Sequence, residues 1–117
     1  MSVIHETGRI GEETAAQYLR GRGYEILGRN VHVGPDELDI IAERDGLLAF
    51  VEVKTRTNDT FGDAISAIDE RKLRRMRRAA VRWFANQEQY WPEVTFDAIV
   101  VTNAGGHWCC KHYEQVA

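Results

Sequence analysis

The chain has 117 residues, 44% of them hydrophobic and 28% charged, which predicts one globular domain, 1–117, with one modest core. The net charge of −3 argues against a simple nucleic-acid coat protein, because such proteins are usually basic. No apolar run approaches the roughly 18 residues of a membrane span, and the opening residues carry charges of both signs, which argues against a membrane protein and against a secretory signal.

The apolar pattern predicts two helices and five strands in the order αβββαββ. The first helix covers 6–22, and strands follow over 24–31, 37–42 and 47–55. The turn at 44–46 is too short for a crossover, so the strands that flank it are expected to be antiparallel. A polar loop over 57–62 leads to a second helix over 69–85, and strands over 94–101 and 107–113 complete the chain. This order predicts an α/β fold with a mixed sheet flanked by helices.

The last predicted strand contains two adjacent cysteines, Cys109 and Cys110. Neighbours on a strand point to opposite faces, so this pair predicts neither a disulfide framework nor a zinc site. A reducing, cytoplasmic location is therefore the simplest expectation.

The third predicted strand contains candidate residues of a functional site. Side chains alternate along a strand, so Glu52 and Lys54 share one face while Val51 and Val53 share the other. Asp39 lies on the preceding strand, and the hairpin brings it near Glu52. Two carboxylates held close resist joint ionisation unless a cation lies between them, and oxygen ligands favour Mg²⁺ or Mn²⁺. The plainer alternative is a surface ion pair between Glu52 and Lys54 at the end of a strand.

A metal at this position would polarise a phosphate and lower the pKa of a bound water, while Lys54 would stabilise charge or orient that water. Glu37 shares the strand face of Asp39 and is either a further ligand, a partner of one, or solvated. Glu12 borders the apolar face of the first helix, which favours orientation into a site over a capping or surface role. Asp97 and His112 support either the site or the fold.

The second predicted helix is strongly basic, with seven basic residues and no acidic one from 71 to 82. At about 100° per residue, five arginines fall on one arc opposite the apolar stripe. Like charges on one helix face repel unless an anion neutralises them, and phosphate is the natural partner. We call this arc the arginine face and expect it to bind nucleic acid, with a solvated surface as the alternative. Its members are Arg71, Arg74, Arg75, Arg78 and Arg82.

Several short motifs occur together along nearly the whole chain. They are Gly8-x-x-x-Glu12, Tyr18-Leu19, Gly23-Tyr24, Glu37-Leu38-Asp39, Phe50-Val51-Glu52-Val53-Lys54-Thr55-Arg56 and Phe96-Asp97. In this combination they resemble the bacterial YraN-like family, which is similar to the archaeal Holliday-junction resolvases and belongs to the PD-(D/E)xK nuclease superfamily. The resemblance implies a restriction-endonuclease-like fold, in which a mixed sheet of about four strands lies between helices.

The resemblance also implies roles for individual residues. The catalytic positions would be Glu12, Asp39, Glu52 and Lys54. Asp39 and Glu52 would bind Mg²⁺ or Mn²⁺, with the carbonyl of Val53 as a further ligand. The chain departs from the family at one point, because the usual Gly-Glu-Ile-Asp is replaced by Asp36-Glu37-Leu38-Asp39.

These expectations lead to one principal hypothesis, a single-domain, metal-dependent endonuclease that hydrolyses phosphodiester bonds in structured or branched DNA. A resolvase acts on a symmetric junction and usually needs a dimer, so the resemblance leaves a homodimer open. Two other hypotheses remain at this point. One is a non-catalytic nucleic-acid-binding module of the same fold, and the other is an interaction domain whose arginine face meets an acidic protein.

Overall fold

The structure is a computed structural model that describes residues 3–56 and 69–117, and within them the helices and strands follow the predicted order. The elements are α1 (Val3–Gly21), β1 (Glu25–Val33), β2 (Asp36–Arg44), β3 (Leu47–Arg56), α2 (Glu70–Ala85), β4 (Glu93–Ala104) and β5 (His107–Tyr113). The polar loop predicted over 57–62 lies outside the described residues.

The strands form one five-stranded sheet in the spatial order β1-β2-β3-β4-β5. All neighbouring strands are antiparallel except β3 and β4, which are parallel. Parallel neighbours require a crossover connection, and the connection from β3 to β4 contains α2. The predicted mixed sheet is therefore confirmed, with one strand more than the resemblance implied.

Tight hairpin turns make some strands longer than predicted. Asp45 and Gly46 have φ angles of 51° and 83°, and Gly105 and Gly106 have φ angles of 61° and 83°. Two consecutive residues with positive φ are typical of two-residue type I′ turns, whose twist matches that of the flanking strands. The connection between the strands predicted over 94–101 and 107–113 therefore shrinks to two glycines, and β4 extends to Ala104.

The two helices pack on opposite faces of the sheet. On β3, Ala49, Val51 and Val53 belong to the apolar cluster beneath α1, whereas Leu48 and Phe50 belong to the cluster beneath α2. This alternation confirms the predicted division of β3 into two faces. Glu52 and Lys54 continue the face that carries α2.

Glycines fix the position of α1. Gly23 has a φ of 90°, its N–H donates to the Arg20 carbonyl, and the Tyr24 N–H donates to the Leu19 carbonyl, both at 3.0 Å. This pair of bonds is the Schellman motif that ends many helices. Farther back, a Cβ added at Gly11 would collide with the Thr55 side chain, so α1 crosses β3 in close contact there.

The second helix begins where the sequence predicts. The Asp69 side chain accepts a hydrogen bond from the Arg71 N–H at 2.7 Å, which is the N-cap arrangement. The buried face of α2 consists of Leu73, Met76, Ala79 and Ala80.

Two expectations about the chain as a whole can be compared with the structure. Across residues 3–56 and 69–117, neither helix has the length and apolar character needed to cross a membrane. Cys109 and Cys110 are free thiols.

Candidate functional site

Asp39 and Glu52 meet where β2 and β3 separate. The last paired residues of this hairpin are Ile40 and Val51, so Asp39 and Glu52 come next in the same register. Asp39 Oδ2 accepts a hydrogen bond from the Val53 N–H at 2.9 Å. Beyond the last backbone pair of the hairpin, the next hydrogen bond is therefore made by the Asp39 side chain. This bond fixes the orientation of the Asp39 carboxylate.

The strand alternation breaks at the same point. Leu38 packs in the cluster beneath α2, but Ile40, two residues later, packs in the cluster beneath α1. Residues two apart on a regular strand would share a face. The break leaves Asp39 half-buried between the two layers and directed toward Glu52.

The two carboxyl groups are neighbours across the hairpin, close enough for the charge of one to act on the other. Burial raises the pKa of both groups, and the nearby charge of Asp39 contributes to raising the pKa of Glu52 to about 7. Two buried carboxylates this close retain a proton because their charges repel. A divalent cation could take the place of that proton.

The pair opens into a cleft of about 320 Å³ between the sheet and α2. Acidic side chains of β2 and β3 line one wall, and basic side chains of α2 line the other. The Nζ of Lys72 lies 3.8 Å from Glu52 Oε1. The lining residues are Pro35, Asp36, Glu37, Asp39, Glu52, Lys72, Arg75 and Met76.

Glu12, on α1, lies near enough to Asp39 for their charges to interact, but it is not among the described residues that line the cleft. Burial raises the pKa of Glu12, and the negative charges of Asp39 and Glu37 act in the same direction, against a hydrogen bond with Asn30. The Oε1 atom of Glu12 is buried and has no hydrogen-bond partner among the described residues. A buried acceptor without a partner costs about 1–3 kcal/mol, so this oxygen is suited to a water or a ligand.

Lys54 and Val53 are not among the described residues that line the cleft. Lys54 is half-buried on the β3 face that carries Glu52. The Val53 side chain packs beneath α1, and its N–H is held by Asp39. The catalytic role of Lys54 and the ligand role of the Val53 carbonyl stay predictions.

The acidic side chains of the site can be compared with the ligands that a metal ion requires. In the part of the chain that the structure describes, no group of three or more His, Cys, Asp or Glu side chains could by itself hold a metal. Mg²⁺, however, is usually bound through one or two carboxylates and keeps waters or substrate phosphates as its other ligands. Asp39 and Glu52 fit that pattern, and the unsatisfied oxygen of Glu12 adds a further acceptor nearby.

The arginine face is divided by the tip of the β1–β2 hairpin. Arg78 Nε and Nη2 donate to the two carboxylate oxygens of Asp36 at 2.9 and 2.8 Å, and the Asp36 side chain is only 4% exposed. These bonds hold the pKa of Asp36 below its usual range. A Cβ added at Gly34 would approach Arg82 Nη1 to 2.5 Å, so Arg82 also lies against this tip.

Arg71, Arg74 and Arg75 are exposed, and Arg75 also lines the cleft. The sequence placed all five arginines opposite the core stripe, but Arg78 is bound to Asp36, the residue at which the chain departs from the family pattern. Nucleic-acid binding by the arginine face stays a prediction, which rests mainly on Arg71, Arg74 and Arg75, the members not shown against the hairpin tip.

Asp97 and His112 lie away from the cleft. Phe96 packs beneath α2, so Asp97, its neighbour on β4, faces α1. The fully buried Asp97 accepts from Thr95 Oγ1 at 2.6 Å and lies 2.7 Å from His112 Nε2, while His112 Nδ1 lies 3.2 Å from the Tyr18 hydroxyl. Burial alone would raise the pKa of Asp97, but these hydrogen bonds outweigh it and lower the pKa. The group ties β4, β5 and α1 together.

Lys72 is the cleft residue that sequence reasoning missed. The arginine face was defined by its arginines alone, and Lys72 falls about 60° to one side of Arg75 on the helix. On its other side lies Met76, which is buried against the sheet. A basic residue at the border of an apolar stripe faces the neighbouring layer, and this signal could have identified Lys72.

The sheet with one helix on each face defines an α/β protein compatible with the restriction-endonuclease-like fold. Residues 11–101 match the model of a family described as "Uncharacterised protein family UPF0102", and the chain belongs to this family. This match confirms the resemblance to the YraN-like family.

Similar proteins from several bacteria carry the same family name, "UPF0102 protein". One from Syntrophomonas wolfei is 43% identical over 107 residues, which cover 92% of this chain and 93% of the relative. One from Mycobacterium tuberculosis is 45% identical over 98 residues, or 82% of this chain and 77% of the relative. One from Mycolicibacterium vanbaalenii is 43% identical over 96 residues, or 82% and 79% of the two chains.

Proposed function

We propose that this protein is a divalent-metal-dependent endonuclease that acts on structured or branched DNA. The observation that carries the proposal is the pair of Asp39 and Glu52, two partly buried carboxyl groups that lie side by side at the end of a hairpin. Lys72 and Arg75 face this pair across the same cleft. One wall therefore suits a cation and the other suits a phosphate, and a phosphodiesterase needs both within a few ångströms.

Each residue of the site has its own role in the proposed hydrolysis. A bound Mg²⁺ or Mn²⁺ would polarise the phosphate and supply a water of lowered pKa. Asp39 is already oriented by the Val53 N–H, so it needs little rearrangement to act as a ligand. Glu52 would give up its proton and act as the second carboxylate ligand. Lys54, on the same strand face, stabilises negative charge that develops at phosphorus.

The surface around the cleft supplies affinity for the polynucleotide. The exposed guanidinium groups of Arg71, Arg74 and Arg75 are placed to contact flanking phosphates, and such contacts carry most of the sequence-independent affinity of DNA-binding proteins. The preference for branched DNA and the homodimer that a symmetric junction would need belong to the proposal through the resemblance to resolvases.

A cleavage assay tests this function. Single-stranded, duplex, flap and four-way-junction DNA would be incubated with the protein in Mg²⁺, in Mn²⁺ and in chelator. We expect metal-dependent cleavage of at least one branched substrate, and loss of that cleavage in Asp39→Asn. Asp45→Asn, in the exposed turn at the other end of the hairpin, is the matched control and should cut normally.

The outcomes separate the competing hypotheses. Binding of branched DNA without cleavage under any metal condition would favour a non-catalytic module. Failure to bind DNA, together with salt-dependent binding of an acidic protein, would favour an interaction domain.

A further inference from the structure

Lys72 approaches the carboxylate pair from the opposite wall of the cleft. Its Nζ lies 3.8 Å from Glu52 Oε1, and its side chain is 43% exposed whereas that of Glu52 is 13% exposed. Lys72 thus brings a half-solvated ammonium to a largely buried carboxyl group. Burial of a carboxylate is costly unless a positive charge compensates it, and Lys72 supplies that charge from α2.

The chemistry of lysine suits a movable contact. Its ammonium is a compact charge on a flexible stem of four carbons, so it can turn from one anion to another without a change in the helix. Arg78 on the same helix contrasts with it, because that guanidinium binds both oxygens of Asp36. The cleft between the two walls gives the Lys72 ammonium room to move.

We propose, on the basis of the proposed function, that Lys72 is a resident counter-ion of the Asp39–Glu52 pair that leaves Glu52 when a divalent cation binds and then contacts the phosphate to be cleaved. An ammonium and a divalent cation repel strongly when both lie within about 4 Å of one carboxylate. Lys72 and Arg75 both line the cleft from α2, so they would be the positive groups available to a phosphate bound there. Lys72 then exchanges one anionic partner for another.

This exchange predicts opposite effects on metal affinity and on cleavage. Loss of the ammonium removes a competitor for Glu52, so Mn²⁺ should bind about fivefold more tightly in Lys72→Met, the equivalent of a weak, half-exposed ion pair. Loss of the phosphate contact should slow single-turnover cleavage by about tenfold or more. A residue that only supports the fold would not strengthen metal binding.

The test uses the full chain and a matched control. Arg77→Met also removes one positive charge from a half-buried position on α2, but Arg77 borders the apolar stripe on the side away from Lys72 and does not line the cleft. Mn²⁺ affinity would be measured by calorimetry without DNA, and cleavage by single-turnover kinetics with saturating Mn²⁺. Lys72→Arg keeps the charge and should leave metal affinity near that of the parent.

Each result decides the inference. Tighter Mn²⁺ binding and slower cleavage in Lys72→Met, with Arg77→Met close to the parent in both, would support it. Equal Mn²⁺ affinity in the two variants would overturn the counter-ion role, and unchanged cleavage by Lys72→Met would overturn the phosphate contact. In both cases a parent that binds metal and cuts leaves the proposed function standing. A parent that neither binds Mn²⁺ nor cuts DNA overturns both proposals together.

Discussion

The carboxylate of Asp39 is held by the main chain of Val53, whose N–H donates to Oδ2 at 2.9 Å. This bond orients Asp39 toward Glu52, its neighbour across the hairpin. The β2–β3 hairpin therefore holds the two carboxyl groups side by side. If they bind a cation, as proposed above, a pair that is already oriented would lose little freedom on binding, and this would favour affinity.

Replacement of Asp39 by Asn should abolish divalent-metal binding while the protein stays folded. The amide oxygen of Asn can still accept from the Val53 N–H, but the ligand loses its negative charge. Calorimetric titration with Mn²⁺ should show binding by the parent and a large loss in Asp39→Asn. Asp45→Asn is the control, because Asn tolerates the φ of 51° at that turn. Equal Mn²⁺ affinity in the parent and in Asp39→Asn would show that Asp39 is not part of a metal site.

The raised pKa of Glu52 should make both stability and metal binding depend on pH. Between the ordinary value of 4.5 and about 7, the folded protein binds more protons than the unfolded chain. The stability contributed by Glu52 is thus fully present at the acidic end of this window and is lost as the pH rises through it. Metal binding releases the proton, so Mn²⁺ affinity should rise across the same window and then level off.

Melting temperatures measured with and without Mn²⁺ between about pH 5 and pH 8 test this linkage. The stabilisation by Mn²⁺ should be small at the acidic end and large at the neutral end. Glu52→Gln, which cannot ionise, should show neither trend. A parent whose response to Mn²⁺ is the same at every pH would contradict a shared proton between Asp39 and Glu52.

Arg71, Arg74 and Arg75 should control the salt dependence of DNA binding. Each phosphate contact contributes about 0.9 to the slope of log K against log salt concentration, so Ala at Arg71, Arg74 and Arg75 together should flatten that slope by up to about 2.7. Arg78 is left intact because it binds Asp36. Lys111→Ala, at an exposed position on β5, serves as the control. An unchanged slope in the triple variant would show that the arginine face is a solvated surface that does not bind DNA.

The pair of Asp36 and Arg78 should stabilise the fold rather than bind DNA. Asp36→Asn and Arg78→Met should each lower the melting temperature at neutral pH, and the double variant should add little to the worse of the two. Because Arg78 lowers the pKa of Asp36, this stabilisation is present above about pH 3.8 and is lost as the pH falls through the lower folded value. Additive effects of the two substitutions would show that the pair is not coupled.

The central geometry of the site could be predicted because it depends on local rules. Alternation along β3 placed Glu52 and Val53 on opposite faces, and the short turn at Asp45 and Gly46 fixed an antiparallel register that brings Asp39 beside Glu52. Both inferences need only the strand period and the length of one turn. With the same rules, the predicted ends of β1 and β4 fall two or three residues before the observed ends. A two-residue turn that contains glycine can replace a longer one, and the strands then extend.

The remainder of the site depends on how α2 lies against the hairpin, and no local period encodes that placement. A helical wheel shows that Arg78 is opposite the apolar stripe, but it does not show that the tip of the β1–β2 hairpin reaches that side. The bond from Arg78 to Asp36 and the contact of Lys72 with Glu52 therefore emerged only from the structure. The same holds for the bond between Asp97 and His112, which joins residues of neighbouring strands.

The most direct measurement of the central claim is single-turnover cleavage by Lys54→Ala, made alongside equilibrium DNA binding by the same variant. If Lys54 stabilises charge at phosphorus, its contribution appears mainly in the transition state. We predict that cleavage falls on the order of 10²-fold or more, with little change in DNA affinity, since one phosphate contact is a small share of binding. Lys54→Arg should rescue poorly, because a planar guanidinium does not replace a compact ammonium. A Lys54→Ala variant that cuts as fast as the parent, or a parent that cuts no substrate with either metal, would contradict the account.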